Sequence, residues 1–295
     1  MKHLLLLSVL LYLQTAYGQQ SQPHVLIINA HPEDEISCSA TIYKITHELK
    51  GIVDLALITN GEGGYKYSTL AEAYYNLELT DEKVGRENLP RIRKQEQMNA
   101  GKVLGIRKYF FMDQQDSKYT LDERNSLDTA WDVGIVMVTL QRLLMNEKYD
   151  YVFCLLPIPE NHGHHKAATI IALQTVKNLP DENKPIVLGV ANSGRNDSVP
   201  LVFHQLKDYT ETAIDPAAPV FVLDRSAKFG YKDKLNYKII VNWANAEHKS
   251  QGIMPSDNDD FENFWYFEIN GAKGIEKTRQ LFEELKNVPY PVKVY

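Results

Sequence analysis

Five short apolar runs, rich in β-branched residues, recur along this chain, and each gives way to a polar loop. They span residues 25–28, 52–59, 107–112, 149–156 and 185–190, the lengths and compositions of buried strands. The first four are each followed by a segment that the pattern assigns to a helix: 36–49, 91–104, 127–145 and 166–176. In the second of these, apolar or small residues recur at Ile92, Met98, Ala100, Val103 and Leu104, with Gly105 as the stop. Alternation of this kind predicts a Rossmann-like, doubly wound α/β fold on a mostly parallel sheet, with right-handed crossovers. Past Ser193 it weakens into a smaller C-terminal α+β extension, with strands at 199–203, 220–223 and 264–269 and helices at 231–251 and 275–286. No internal repeat, low-complexity run or linker interrupts residues 19–295, which are taken as one domain.

Open α/β sheets bind ligands at the carboxyl ends of their strands, so the loops there carry the functional argument. The first is Asn29-Ala30-His31-Pro32-Glu33-Asp34-Glu35. Carboxylates in a first helical turn are ordinary complements to the helix dipole, but that leaves His31-Pro32 unexplained. The fourth loop ends in His162-Gly163-His164-His165. A single histidine is usually structural; three in four positions at a strand end point to a site. With His31 and Asp34 this set can supply two imidazoles and a carboxylate, the donor pattern of a hydrolytic zinc site. Zinc there lowers the pKa of a bound water and polarises a carbonyl. Glu33, beside Asp34, suits the general base, and a remaining histidine can steady the oxyanion or protonate the leaving amine. The same donors also serve iron oxygenases, whose usual β-rich rolls do not match the alternation seen here.

Two further loops are notable. Thr59-Asn60-Gly61-Glu62-Gly63-Gly64 permits close backbone approach to a ligand, yet it lacks the Lys-Ser/Thr of a phosphate-binding loop. Asp113-Gln114-Gln115-Asp116 leaves the third strand. The Tyr-rich stretch 65–89 is expected near the mouth of the site.

A formal net charge of -6 excludes a general nucleic-acid binder, since no basic excess is available for phosphates. At the N-terminus, Lys2, the apolar run 4–13 and Ala16-Tyr17-Gly18 form the pattern of a signal peptide, 1–18, with cleavage near Gly18. The run is too short to span a bilayer. The expected product is an exported protein, periplasmic or secreted. Cys38 and Cys154 are taken as small buried apolar residues, with a disulfide left open because export would permit one.

These motifs together resemble the PIG-L (LmbE-like) family of zinc-dependent de-N-acetylases. Ala30-His31-Pro32-Glu33-Asp34-Glu35 is similar to the family's Ala-His-Pro-Asp-Asp-Glu, and residues 59–64 to its Thr-x-Gly-x-x-Gly. Arg93 to Glu96 with Leu104-Gly105 resembles its Arg-x-x-Glu helix, and His162-Gly163-His164-His165 its His-x-Asp-His. His248-Lys249-Ser250-Gln251 is a fainter echo of a His-x-Ser-Gln segment. The resemblance implies His31, Asp34 and His165 as ligands of Zn2+, or of another divalent metal such as Fe2+. It implies Glu33 as the base and His162 as the partner of the tetrahedral intermediate. Arg93, with Asp113 or Asp116, would hold sugar hydroxyls of a small amino-sugar conjugate. Two positions depart from the motif. Glu33 replaces an Asp, moving the base out by one methylene, and His164 replaces the Asp that orients and charges the partner histidine. His164 is therefore set on the substrate side of the site or as a competing ligand. An exported zinc hydrolase that removes acetyl from an N-acetylglucosamine derivative follows; the alternative is a catalytically weak carbohydrate-binding protein on the same fold.

Overall fold

Val25 and Ile27 turn to one side of the first strand and Leu26 and Ile28 to the other, and all four are buried. A strand covered on both faces needs helices above and below it. Each such side chain contributes about 1.5–3 kcal/mol on leaving water. The computed structural model describes residues 22–251 and 259–291, so the expected signal peptide lies outside the described residues.

The strands are β1 (His24–Asn29), β2 (Ile52–Thr59), β3 (Lys108–Gln114), β4 (Tyr151–Leu155), β5 (Ile186–Ser193), β6 (Phe221–Asp224), β7 (Lys228–Phe229), β8 (Leu235–Asn236) and β9 (Phe261–Tyr266). Seven form one sheet in the order β3-β2-β1-β4-β5-β9-β6, while β7 and β8 pair separately. The first five run parallel, and β9 is antiparallel to both β5 and β6. The fold is thus the expected doubly wound α/β sheet, and its C-terminal α+β part continues the same sheet as antiparallel strands. Strand order reverses between β1 and β4. No crossover covers that point, and a crevice opens at the carboxyl ends of these two strands.

Helix boundaries depart from the sequence pattern where distant side chains intervene. The segment expected as one helix over 36–49 is a 3-10 turn (Asp34–Cys38), a short α-helix (Ser39–Tyr43) and a π-helical turn (Lys44–Glu48). The cause is Glu262 on β9, whose carboxylate accepts the backbone N–H groups of Ala40 and Thr41 at 2.8 and 2.9 Å. Arg225, paired with Glu262 at 2.9 Å, donates to the Ile36 carbonyl at 2.8 Å. A buried ion pair thus caps a new helix in mid-segment.

The helix expected to begin at Arg91 instead runs Glu82–Leu104, with Pro90 inside it. Asp81 accepts from the Val84 N–H at 3.0 Å and sets the start nine residues earlier. Of the expected 231–251 helix, Tyr237–Asn245 is α-helical and Tyr231–Asp233 is a short 3-10 turn. Residues before it fold into the β7–β8 hairpin. Residues 199–203 form no strand, since β6 occupies the edge of the sheet. The closing helix is present as Lys273–Asn287. Among the described residues no helix is long and apolar enough to cross a membrane.

Candidate functional site

The turn after β1 is held by its own carboxylate. Asp34 Oδ2 accepts the backbone N–H groups of Ala30 and His31 at 2.9 and 2.8 Å, which closes the turn and aims Oδ1 into the crevice. From β4's side, the helix Gly163–Lys177 begins beneath His162, whose Nδ1 caps it by accepting the His164 N–H at 3.0 Å. His165 falls on the first turn of that helix and faces the β1 turn.

Three donor atoms meet there. His31 Nδ1 lies 3.0 Å from His165 Nε2, His165 Nε2 lies 3.2 Å from Asp34 Oδ1, and His31 Nδ1 lies 3.9 Å from the same oxygen. Tetrahedral coordination at zinc–nitrogen and zinc–oxygen lengths separates neighbouring donors by roughly 3.3 Å. Two imidazoles and a carboxylate at these spacings fit a divalent metal. A second set, His31, His162 and His164, also brings its donor atoms within 4.8 Å of one another.

Burial and mutual repulsion lower three of the four imidazoles, and His165 is the exception. Burial, with His165 and His164 nearby, holds His31 well below its ordinary value. Burial and the other two histidines push His162 down to about 3, and burial lowers His164. Burial also pushes His165 down, but the Asp34 carboxylate more than reverses this and raises it. In turn, Asp34 resists the upward push of burial and is held low by His165 and the two backbone donors.

Glu33 and Arg93 form an ion pair on the cleft floor. Burial, opposed by Arg93 and assisted by Asp34, pushes the Glu33 carboxyl up to about 7. The longer side chain at position 33 is what reaches the guanidinium. Arg93 is only 1 % exposed and also donates to the Gly61 carbonyl, so its role as a contact for sugar hydroxyls is largely taken up by the protein itself. The Gly-rich loop has the same explanation: a Cβ at Gly64 would stand 2.5 Å from Arg93 Nη1. The close backbone approach expected towards a ligand is made to this chain's own arginine.

The two candidate aspartates separate cleanly. Asp116 is buried in the cleft, accepts the Gly63 N–H at 3.1 Å, and lies 3.4 Å from His164 Nδ1. Asp113 lies outside the cleft, exposed and paired with Lys94, and drops out of the candidate site. His164 is fully buried beneath His31, 2.9 Å from its Nε2, and does not line the cleft; its placement on the substrate side is therefore corrected.

Some participants carry little sequence signal. His248 Nε2 pairs with Glu35 Oε1 at 2.8 Å, and Glu35 Oε2 accepts from Asn29 and Gln97 at 3.1 and 3.2 Å. Ser250 donates through N–H and hydroxyl to Glu96 at 2.9 and 2.5 Å. The faint His248-x-Ser250-Gln251 motif is thus the clasp that ties the C-terminal part to the back of the site. Glu35 had no signal beyond its place in the first motif. The cleft has a volume of about 410 Å³ and is rimmed by Tyr65, Tyr67 and Tyr119. Cys38 and Cys154 are buried free thiols.

The family described as PIG-L, GlcNAc-PI de-N-acetylase, matches residues 26–176, just over half of the 295-residue chain. A probable N-acetyl-alpha-D-glucosaminyl L-malate deacetylase 2 of Bacillus cereus is 22% identical over 176 residues, covering 60% of this chain and 71% of that protein. Among solved structures, a deacetylase–teicoplanin complex from teicoplanin biosynthesis aligns with a TM-score of 0.50 at 14% identity, over 83% of this chain and 98% of that one. N,N'-diacetylchitobiose deacetylase from Pyrococcus horikoshii aligns with a TM-score of 0.45 at 20% identity, over 93% of this chain and 85% of that one. At 14% identity the likeness to the teicoplanin deacetylase is one of fold.

Proposed function

The chain belongs to the PIG-L family of GlcNAc-PI de-N-acetylases, and from that premise we propose that it is a metal-dependent hydrolase removing an N-acetyl group from an amino-sugar conjugate. The observation that carries the reading is the convergence of His31 Nδ1, Asp34 Oδ1 and His165 Nε2 at 3.0 to 3.9 Å beside an open cleft. Zinc suits this donor set. A divalent metal bound there supplies Lewis-acid polarisation of the amide carbonyl and an acidified water.

The remaining work falls to side chains of this chain. Glu33, raised to about 7, stands at the pH where a carboxylate can take a proton from water and return it to the leaving amine. His162 caps its helix through Nδ1, which leaves an N–H on Nε2 for the cleft. Neutral His162 therefore serves as a hydrogen-bond donor to the developing oxyanion, and no imidazolium is needed. Tyr67 and Tyr119 offer ring faces to a sugar, and the volume of about 410 Å³ has room for more than one ring. The signal-peptide pattern of residues 1–18 supports an exported enzyme, acting outside the cytoplasm.

The test is amine release from N-acetylglucosamine conjugates, with metal content measured in parallel. Release that stops on chelation and returns with Zn2+ is the expected result. A zinc-loaded protein that binds such conjugates without releasing amine would favour the second reading, a carbohydrate-binding protein. The Arg93–Glu33 ion pair is what favours that reading, since it ties up the base.

A further inference from the structure

We propose that His164 is the positioning residue for His31: its Nδ1 accepts the Nε2–H of His31 and so leaves Nδ1 of His31 as a lone pair facing Asp34 and His165. The inference rests on the metal reading of the site and deepens it.

A neutral imidazole has one proton for two nitrogens. His31 Nδ1 faces His165 Nε2 at 3.0 Å and Asp34 Oδ1 at 3.9 Å, while its Nε2 faces His164 Nδ1 at 2.9 Å. If Nδ1 is to bind a cation, the proton must sit on Nε2, and a buried N–H needs an acceptor. Asp116 Oδ1, at 3.9 Å from Nε2, is beyond hydrogen-bond reach. His164 Nδ1 is within it at 2.9 Å, and that nitrogen is nearer His31 than it is to Asp116 Oδ1, which lies 3.4 Å away.

The acceptor is itself fixed. His164 is fully buried, with ring centroids of His162 and Trp131 at 4.4 and 5.3 Å, and its Nε2 lies 3.5 Å from Ser117 Oγ. With its Nδ1 accepting, its own proton rests on Nε2, towards that hydroxyl. The position where the motif has Asp is thus filled by a longer, uncharged acceptor that selects the tautomer of a metal ligand. His164 then has no need to be a ligand, and the His31, His162 and His164 set is a consequence of this packing.

Three proteins test this: wild type, His164→Asn, which keeps a short neutral acceptor, and His164→Leu, which has none. Zinc affinity is read by competition with a chromogenic chelator, and the coordination set by the absorption spectrum of the cobalt-substituted protein. His164→Leu is expected to bind zinc about 10- to 100-fold more weakly. His164→Asn should stay within about threefold with an unchanged cobalt spectrum. Should His164→Leu fail to fold, 15N NMR of zinc-loaded wild type decides, because His31 must show metal on Nδ1 and the proton on Nε2. Wild-type affinity in His164→Leu, loss of an imidazole from the cobalt spectrum of His164→Asn, or metal on Nε2 of His31 would each overturn the inference while leaving the metal reading intact. A wild-type protein that takes up no zinc overturns both.

Discussion

Two clusters of histidine and carboxylate stand at opposite ends of the same parallel strands. At the carboxyl end are His31, Asp34 and His165; at the amino end are His24, Asp54 and Glu147, also with donor atoms within 4.8 Å of one another. By donor count they are equals. The difference is Arg107, which donates to Asp54 Oδ1 and Oδ2 at 2.9 and 2.5 Å and to Glu147 at 3.0 Å. Tyr149 adds a hydrogen bond to Asp54 at 2.8 Å. The lower cluster already contains its cation, so its carboxylates are satisfied. Among the three upper donors no side-chain cation intervenes, and two nitrogens face each other at 3.0 Å. A metal centre is recognised by the charge it lacks more than by the ligands it has.

The comparison can be broken most directly with one substitution at each end. Asp34→Ala should remove stoichiometric zinc and lower turnover by about 10³-fold or more, while Asp54→Asn should leave both unchanged. Elemental analysis and a kcat measurement on each variant decide. Zinc lost equally from both would erase the distinction. The next largest effect concerns chemistry without metal loss. Glu33→Gln should retain zinc and reduce kcat by about 10²- to 10⁴-fold, and a wild-type rate would remove Glu33 as the base.

At the lower cluster the expected effect is on stability. Burial pushes the Asp54 carboxyl up, but hydrogen bonds from Arg107 and Tyr149 hold it below its ordinary value. A depressed folded-state pKa gives stability that is present above the unfolded value of about 3.9 and is lost as pH falls through the folded one. Asp54→Asn should therefore cost about 2 kcal/mol at neutral pH and less in acid, as read from urea midpoints across pH. An equal loss at every pH would mean that packing, and not charge, holds the cluster. The smallest effect is at the rim, where Tyr119→Ala should raise KM for an amino-sugar conjugate about two- to tenfold with little change in kcat, the worth of one ring face.

Much of this was legible because local pattern and tertiary role coincide. A β-branched run buried on both faces must be a central strand, and the polar residues ending it must lie at the carboxyl edge. Two imidazoles and a carboxylate could thus be expected together from two loops far apart in sequence, and the family resemblance implied His31, Asp34 and His165 as the set. The failures share one physical cause: contacts made across the chain. Asp116 and Asp113 differ by which one meets Gly63 and His164, and nothing local distinguishes them. The first helix is broken by Glu262 and Arg225, more than 180 residues away. The helix expected from Arg91 begins nine residues earlier, at Glu82, because Asp81 caps it there. Arg93 was placed at the substrate because its motif says nothing of the extra methylene at Glu33.

Glu35 sits at the back of the first motif and holds His248, a residue 213 positions later. Loop closure over such a span is slow relative to local pairing. The β1 turn and the helix after β4 can form early, yet their rear support waits for the last quarter of the polypeptide. A shortened or still-emerging chain would then carry the donor residues without the clasp behind them, and maturation of the centre becomes a late event in folding, timed by completion of the polypeptide.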